Sequence, residues 1–315
     1  MFASAVIDYL LPVFFIGVGF ELRQEFASGY FATRRNILAP AAAAVVGAIA
    51  PALAYFAIAG SRGWAIPTAT DIALGLAALL IFRASKLSTL RVRFVAVATI
   101  DDLIGLGIIV VLFSSRLNLS TALIAGSGIL ATYALARLTN PWRHAAIVCS
   151  LLTICAAASS GVQTSIFGVL LGLVLPLSYR AGISRITNWV VVPMFAIAIG
   201  LLMIPAFGEK LNPAVFLAVA IRPAGKLLGI FVAGATSDRL ISGRWHATTW
   251  VGIGILGGLG LTVSLLVAQL TFDSKPDLFA SAVFGTLTAA LASFVVFGVF
   301  VYFAKRRERR DAKSL

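Results

Sequence analysis

Runs of about twenty apolar residues, parted by short polar stretches, recur along the whole chain. They fall near 3–22, 37–59, 64–82, 92–113, 118–136, 143–158, 163–178, 187–206, 213–234, 247–270 and 278–303. Each is near the length a helix needs to cross a hydrocarbon core of about 30 Å. The pattern predicts an all-α polytopic membrane protein with about eleven transmembrane helices and a single membrane domain over 1–315. The first run ends in Glu21-Leu-Arg-Gln-Glu25 without a small-residue cleavage site. It therefore reads as a span and not as a signal peptide. A basic tail, 304–315, follows the last span.

Polar residues at depth gather in two blocks, 37–113 and 213–303, with the remaining spans at 3–22 and 118–206. The middle span of each block looks interrupted. In the first block it reads Trp64-Ala-Ile-Pro67-Thr-Ala-Thr70-Asp71. Pro67 removes a helix donor, and Thr70 and Asp71 offer side-chain oxygens to the freed backbone. In the second, five glycines fall within Gly252–Gly260, followed by Thr262 and Ser264. Such a run either weakens the helix or lets a neighbour approach closely. Interrupted spans at matching places in two halves predict an inverted repeat with two crossed, broken helices. Paired half-helix N-termini concentrate positive potential and paired C-termini negative potential. Asp71 is suited to offset the first and Lys226 the second.

Asp101 and Asp102 stand side by side inside the span 92–113. Each carboxylate at membrane depth costs about 2.5–3.5 kcal/mol to insert. Two like charges in a low dielectric cannot both ionise freely. The pair reads as a place to hold a proton or a hard monovalent cation such as Na⁺ or Li⁺, which prefers oxygen ligands. Thr70 and Asp71 read either as a local repair of a broken helix or as part of the site. Lys226 reads as a counter-ion to an aspartate, fixed or exchanging. Arg222, one turn earlier, reads as a snorkelling side chain or the filler of a polar gap. Glu21 and Glu25, one turn apart at a helix end, are either solvated or form an acidic mouth that attracts cations. Asp8 lies near the outer end of the first span.

The chain carries a net charge of +13 with hydrophobic residues at 60%. The charge suggests nucleic acid until its distribution is counted. With the C-terminus in the cytoplasm, cytoplasmic segments hold 19 of the 25 Lys and Arg. The other face holds four, Arg62, Arg116, Lys210 and Lys275, while Arg222 and Lys226 lie inside a span. This positive-inside bias explains the charge by the lipid bilayer alone and places the N-terminus outside. Cys149 and Cys155 fall on different faces of one apolar run, and His144 and His246 flank spans. None of these has metal-ligand spacing.

The chain resembles bacterial sodium/proton antiporters of the NhaA type. The likeness rests on Phe14-Phe-Ile-Gly-Val-Gly-Phe-Glu21-Leu-Arg-Gln-Glu25, Ala69-Thr70-Asp71, Ile100-Asp101-Asp102-Leu, Gly225-Lys226-Leu-Leu-Gly and Gly254-Ile-Leu-Gly-Gly-Leu-Gly-Leu-Thr262-Val-Ser264. Their order and spacing agree over nearly the whole chain. The resemblance implies alternating access and electrogenic exchange of external protons for internal Na⁺ or Li⁺ across the bacterial inner membrane, with no cofactor. It implies that Asp102 is the principal ion ligand and that Asp101 is its partner, pairing with Lys226 when no ion is bound. Thr70 and Asp71 would form the first break, and Glu21 and Glu25 would line a cytoplasmic funnel. The family's first helix and the β-hairpin that builds its homodimer have no counterpart in this sequence. Gln163 replaces a histidine tied to pH response, and Tyr179–Arg185 replaces an acidic, histidine-containing stretch, so strong pH regulation is not expected.

The residues thus point to a Na⁺(Li⁺)/H⁺ antiporter and not to an enzyme. The alternatives are a Na⁺-coupled organic-anion symporter of similar fold and a truncated, non-transporting relative. An intramembrane aspartyl protease would need a Gly-x-Gly-Asp motif, and the glycine-rich span reads Gly258-Leu-Gly260-Leu261.

Overall fold

A computed structural model of the chain describes residues 12–20, 22–24, 34–82, 88–113, 119–138, 140–158, 164–191, 193–194, 197, 201, 208–242 and 246–311. The described residues are helical with no strands. Helix α1 covers 12–20. It is followed by α2 (Arg34–Ala59), a 3₁₀ turn at Ile66–Thr68, α3 (Ile72–Ile81), α4 (Ser88–Phe113), α5 (Leu119–Arg137), α6 (Asn140–Ala158) and α7 (Thr164–Val174). Then come α8 (Arg180–Ile186), α9 (Pro213–Ala220), α10 (Arg222–Ser242), α11 (Ala247–Gly257), α12 (Thr262–Phe272) and α13 (Pro276–Asp311). The protein is an all-α polytopic membrane protein. Among the described residues four helices are long and apolar enough to span a bilayer, or up to six if each bent pair counts as one span. The predicted spans 3–22 and 187–206 lie largely outside the described residues.

The chain divides into two compact units, residues 30–105 with 205–315 and residues 1–29 with 106–204. In the second of these, α5, α6 and α7 pack on one another. Helix α1 meets α7 through small residues: a Cβ added at Gly19 would fall 2.8 Å from the Gly172 Cα.

The first unit holds both predicted repeat blocks up to residue 105. Its core is built from Ala43, Phe94, Val97, Ile230, Trp250, Ile253, Leu256 and Phe297, all nearly or fully buried. Both interruptions are present. The span expected at 64–82 is a single 3₁₀ turn, an extended Ala69–Asp71 stretch and the ten-residue α3. Pro67 sits in the first turn of that segment, where its missing N–H breaks no helical bond, and the chain turns extended at Ala69. The span expected at 247–270 is α11 and α12, bent by 45° across Gly258–Leu261. The span expected at 213–234 lies within one apolar span, Pro213–Ile241, in which a single turn residue, Ile221, parts α9 from α10 just before Pro223. Asn212 starts α9 by accepting from the Ala214 and Val215 amides, a standard cap ahead of Pro213.

Helices α2 and α10 form the most extensive helix contact in this unit. Glycines allow it. A Cβ at Gly229 would lie 2.6 Å from the Val46 carbonyl oxygen, and one at Gly225 would lie 2.9 Å from the Pro51 Cα. Both obstacles are backbone, which a rotamer change cannot move. Gly225 and Gly229 therefore fix α10 close against α2, the usual service of small residues between membrane helices. Lys226, between them, is held at a set depth by that contact. Gly229→Ala is expected to cost about 1–3 kcal/mol, the range for overpacking a close contact, read as a lowered unfolding midpoint in detergent. Gly126→Ala, where nothing lies within 4 Å of the added carbon, should leave the midpoint unchanged or raise it.

Candidate functional site

The two breaks meet. The Asp71 amide donates to the Leu259 carbonyl at 2.7 Å. The Thr70 hydroxyl donates to the Gly257 carbonyl at 2.9 Å. The extended stretch 69–71 thus serves carbonyls that the end of α11 leaves without helical partners. Gly260 permits this approach: an added Cβ would lie 2.3 Å from the Ala69 carbonyl oxygen and 3.0 Å from Arg222 Nη1.

Asp71 stands at the positive side of the crossing. One carboxylate oxygen caps α3 by accepting from the Leu74 amide at 3.2 Å. The other accepts from the Thr262 hydroxyl, at the first residue of α12, at 3.0 Å. A single carboxylate therefore answers two half-helix N-termini, as its charge and the helix dipoles favour.

The negative side differs from the expectation. Arg222 is fully buried, not snorkelling. Its Nε donates to the Gly258 carbonyl at 3.1 Å and its Nη2 to the Gly260 carbonyl at 2.6 Å. Nη1 donates to the Ser264 hydroxyl at 2.9 Å, and Nη2 also reaches the Thr286 carbonyl at 3.4 Å. The polar gap that Arg222 fills is the break itself, and Arg222 makes the contacts that the sequence assigned to Lys226.

Lys226 instead turns to the carboxylate pair. Its Nζ donates to both Asp101 oxygens at 2.7 Å, and the two side chains are 0% and 2% exposed. Arg222 and Lys226 lie one turn apart on α10, and so share a face. Asp102, half-buried beside Asp101 on α4, lies within electrostatic reach of Lys226. Asp71 and Asp101 both act on Arg222 in the same way. Thr70, Asp71, Asp101, Asp102 and Lys226 are thus brought into one neighbourhood, with Arg222 added. Glu21, Glu25, Asp8 and Gln163 lie outside the described residues.

A second polar cluster had no signal in the linear sequence, because it draws on three elements. Asp238 Oδ2 accepts from Arg93 Nη1 at 2.7 Å and from the Trp250 indole at 3.3 Å, and His246 Nδ1 lies 2.9 Å from it. The Arg93 guanidinium stands over the Trp250 ring, 5.6 Å from its centroid. The cluster ties the starts of α4 and α11 to the end of α10.

The family model described as Na⁺/H⁺ antiporter 1 matches residues 2–301. The chain belongs to this family. The Na(+)/H(+) antiporter NhaA 2 of Clavibacter michiganensis subsp. michiganensis is 37% identical to it, over 97% of this chain and 80% of that protein. The NhaA antiporter of Pseudomonas entomophila is 32% identical over 95% of this chain and 81% of its own length. That of Tropheryma whipplei (strain Twist) is 30% identical over 97% and 83%. The family is one of secondary transporters, whose ions are cargo.

The buried Lys226–Asp101 pair has a testable energetic signature. Lys226→Met alone leaves a carboxylate buried without its cation, a loss of about 3–5 kcal/mol. It should lower the unfolding midpoint sharply. The double variant Lys226→Met/Asp101→Leu should recover most of that loss, and failure to recover would show that the pair is not coupled as described.

Proposed function

We propose that the protein is an electrogenic Na⁺(Li⁺)/H⁺ antiporter that works by alternating access, with Na⁺ and protons competing for Asp101 and Asp102. The observation that carries this reading is the buried Lys226–Asp101 ion pair beside a second, half-buried carboxylate, Asp102. Counted as ionised, the crossing holds three carboxylates (Asp71, Asp101, Asp102) against two cations (Arg222, Lys226). One Na⁺ that displaces a proton from the carboxylate pair and another from Lys226 moves net charge in each cycle, as electrogenic exchange requires. A site that is costly when left empty in a low dielectric favours exchange over leak.

In this mechanism Asp102 is the principal ion ligand. Asp101 joins it when Na⁺ arrives from the cytoplasm, and Lys226 then gives up Asp101 and its proton while the carboxylate pair releases its own. The loaded core reorients. Protons from outside, taken by Asp102 and Lys226, expel Na⁺, and the Lys226–Asp101 ion pair reforms. Thr70 and Asp71 hold the break at which the site is built. Glu21 and Glu25 fit an acidic cytoplasmic approach that gathers cations. The family relationship supports Na⁺/H⁺ exchange, the 19-to-4 charge bias supports a cytoplasmic C-terminus in the bacterial inner membrane, and Li⁺ follows from the same hard-oxygen chemistry.

Competition alone gives a bell-shaped pH profile. Low pH keeps Na⁺ off the carboxylates, and high pH starves the return step. In proteoliposomes with an imposed pH gradient, Na⁺ or Li⁺ but not K⁺ should collapse the gradient. Asp102→Asn should abolish the response while the protein stays folded. Na⁺-dependent exchange retained in Asp102→Asn would overturn the site assignment.

A further inference from the structure

We infer that Arg222, and not Lys226, is the fixed countercharge of the crossed breaks, a positioning residue that leaves Lys226 free to change partners. The inference rests on the antiport reading above and gives one residue a role in it. Its basis is a full account of the carbonyls across the break. Gly257 receives the Thr70 hydroxyl, Gly258 the Arg222 Nε–H, Leu259 the Asp71 amide and Gly260 an Arg222 Nη2–H. Leu261 receives the Leu265 amide as α12 begins. The Gly258 carbonyl accepts from the Gly260 amide as well, at 3.1 Å, so the guanidinium supports two of these five carbonyls and, among the described residues, is the donor of one, that of Gly260. That group also binds Ser264 on α12 and Thr286 on α13. It therefore ties the linker, the second half-helix and the neighbouring span to the start of α10.

A lysine cannot do this. Its ammonium is a single point, whereas the planar fork presents donors in several fixed directions. At this crossing the lysine has another task. Among the described residues the Lys226 ammonium bonds to Asp101 alone. Were Lys226 also the break's countercharge, each departure from Asp101 would disturb the backbone that shapes the site. With Arg222 one turn earlier on the same face, the break stays satisfied whichever state Asp101 is in. The division of labour is thus between a residue that stays and a residue that moves.

The test compares wild type with Arg222→Lys, which keeps the charge and loses the fork, and with Ser264→Ala, which removes one acceptor and keeps the guanidinium. Two quantities are read: backbone hydrogen exchange by mass spectrometry, and Na⁺/H⁺ exchange per folded molecule in proteoliposomes. Arg222→Lys should speed exchange of the amides at 258–262 and cut turnover by about tenfold or more. The half-saturating Na⁺ concentration should stay within about threefold, because uniform ion binding is untouched. Ser264→Ala should shift both readouts the same way by a smaller factor. Wild-type exchange rates at 258–262 in both variants would overturn the inference. So would an effect confined to half-saturating Na⁺ at unchanged turnover, which would put Arg222 in the ion site itself. If the wild type exchanges no Na⁺ for protons, the antiport reading falls, while amide exchange at the break still decides what Arg222 holds.

Discussion

A backbone that leaves its helix at membrane depth must have its polar groups met by protein. Water is absent there, and each unmet group costs several kcal/mol. The crossing of the two breaks is the solution this chain adopts. The bond from the Asp71 amide to the Leu259 carbonyl joins the interruptions directly. Once they are joined, the other charges have assigned places. Positive half-helix ends call for Asp71, and unpaired carbonyls call for Arg222. Helix α4 then brings Asp101 to the same neighbourhood through Lys226, with Asp102 beside it.

The packing around the crossing is subordinate to that need. Close approach of α10 to α2, through Gly225 and Gly229, sets the depth of Lys226 and Arg222. Gly260 leaves room for the Ala69 carbonyl. The glycine-rich run thus serves two ends at once, loosening the helix where it must break and thinning it where a neighbour must come near. The Asp238 cluster, with Arg93, His246 and Trp250, then fastens the ends of α4, α10 and α11 to one another.

Much of this was legible in the residues. Pro67 and Thr70-Asp71 marked one break, and the glycines before Thr262 marked the other. The adjacent aspartates were conspicuous because few structural needs justify two carboxylates inside an apolar span. The role of Asp71 could be read from helix-dipole arguments alone. The assignment of the opposite countercharge could not. Arg222 and Lys226 lie one turn apart, and the sequence gives no way to tell which of two cations on one face reaches the break. That depends on where Gly258 and Gly260 sit relative to the first turn of α10. The Asp238 cluster was hidden because its members are separated along the chain and each is unremarkable alone.

The central claim is that Na⁺ and protons occupy one carboxylate site in turn. The most direct measurement is proton release on Na⁺ addition to the purified protein in weakly buffered detergent solution, with Na⁺ affinity followed against pH. Na⁺ should acidify the solution where K⁺ does not, and its affinity should weaken as the pH falls, by up to about tenfold per pH unit for each displaced proton. Na⁺ binding with no proton released, at an affinity indifferent to pH, would contradict the account.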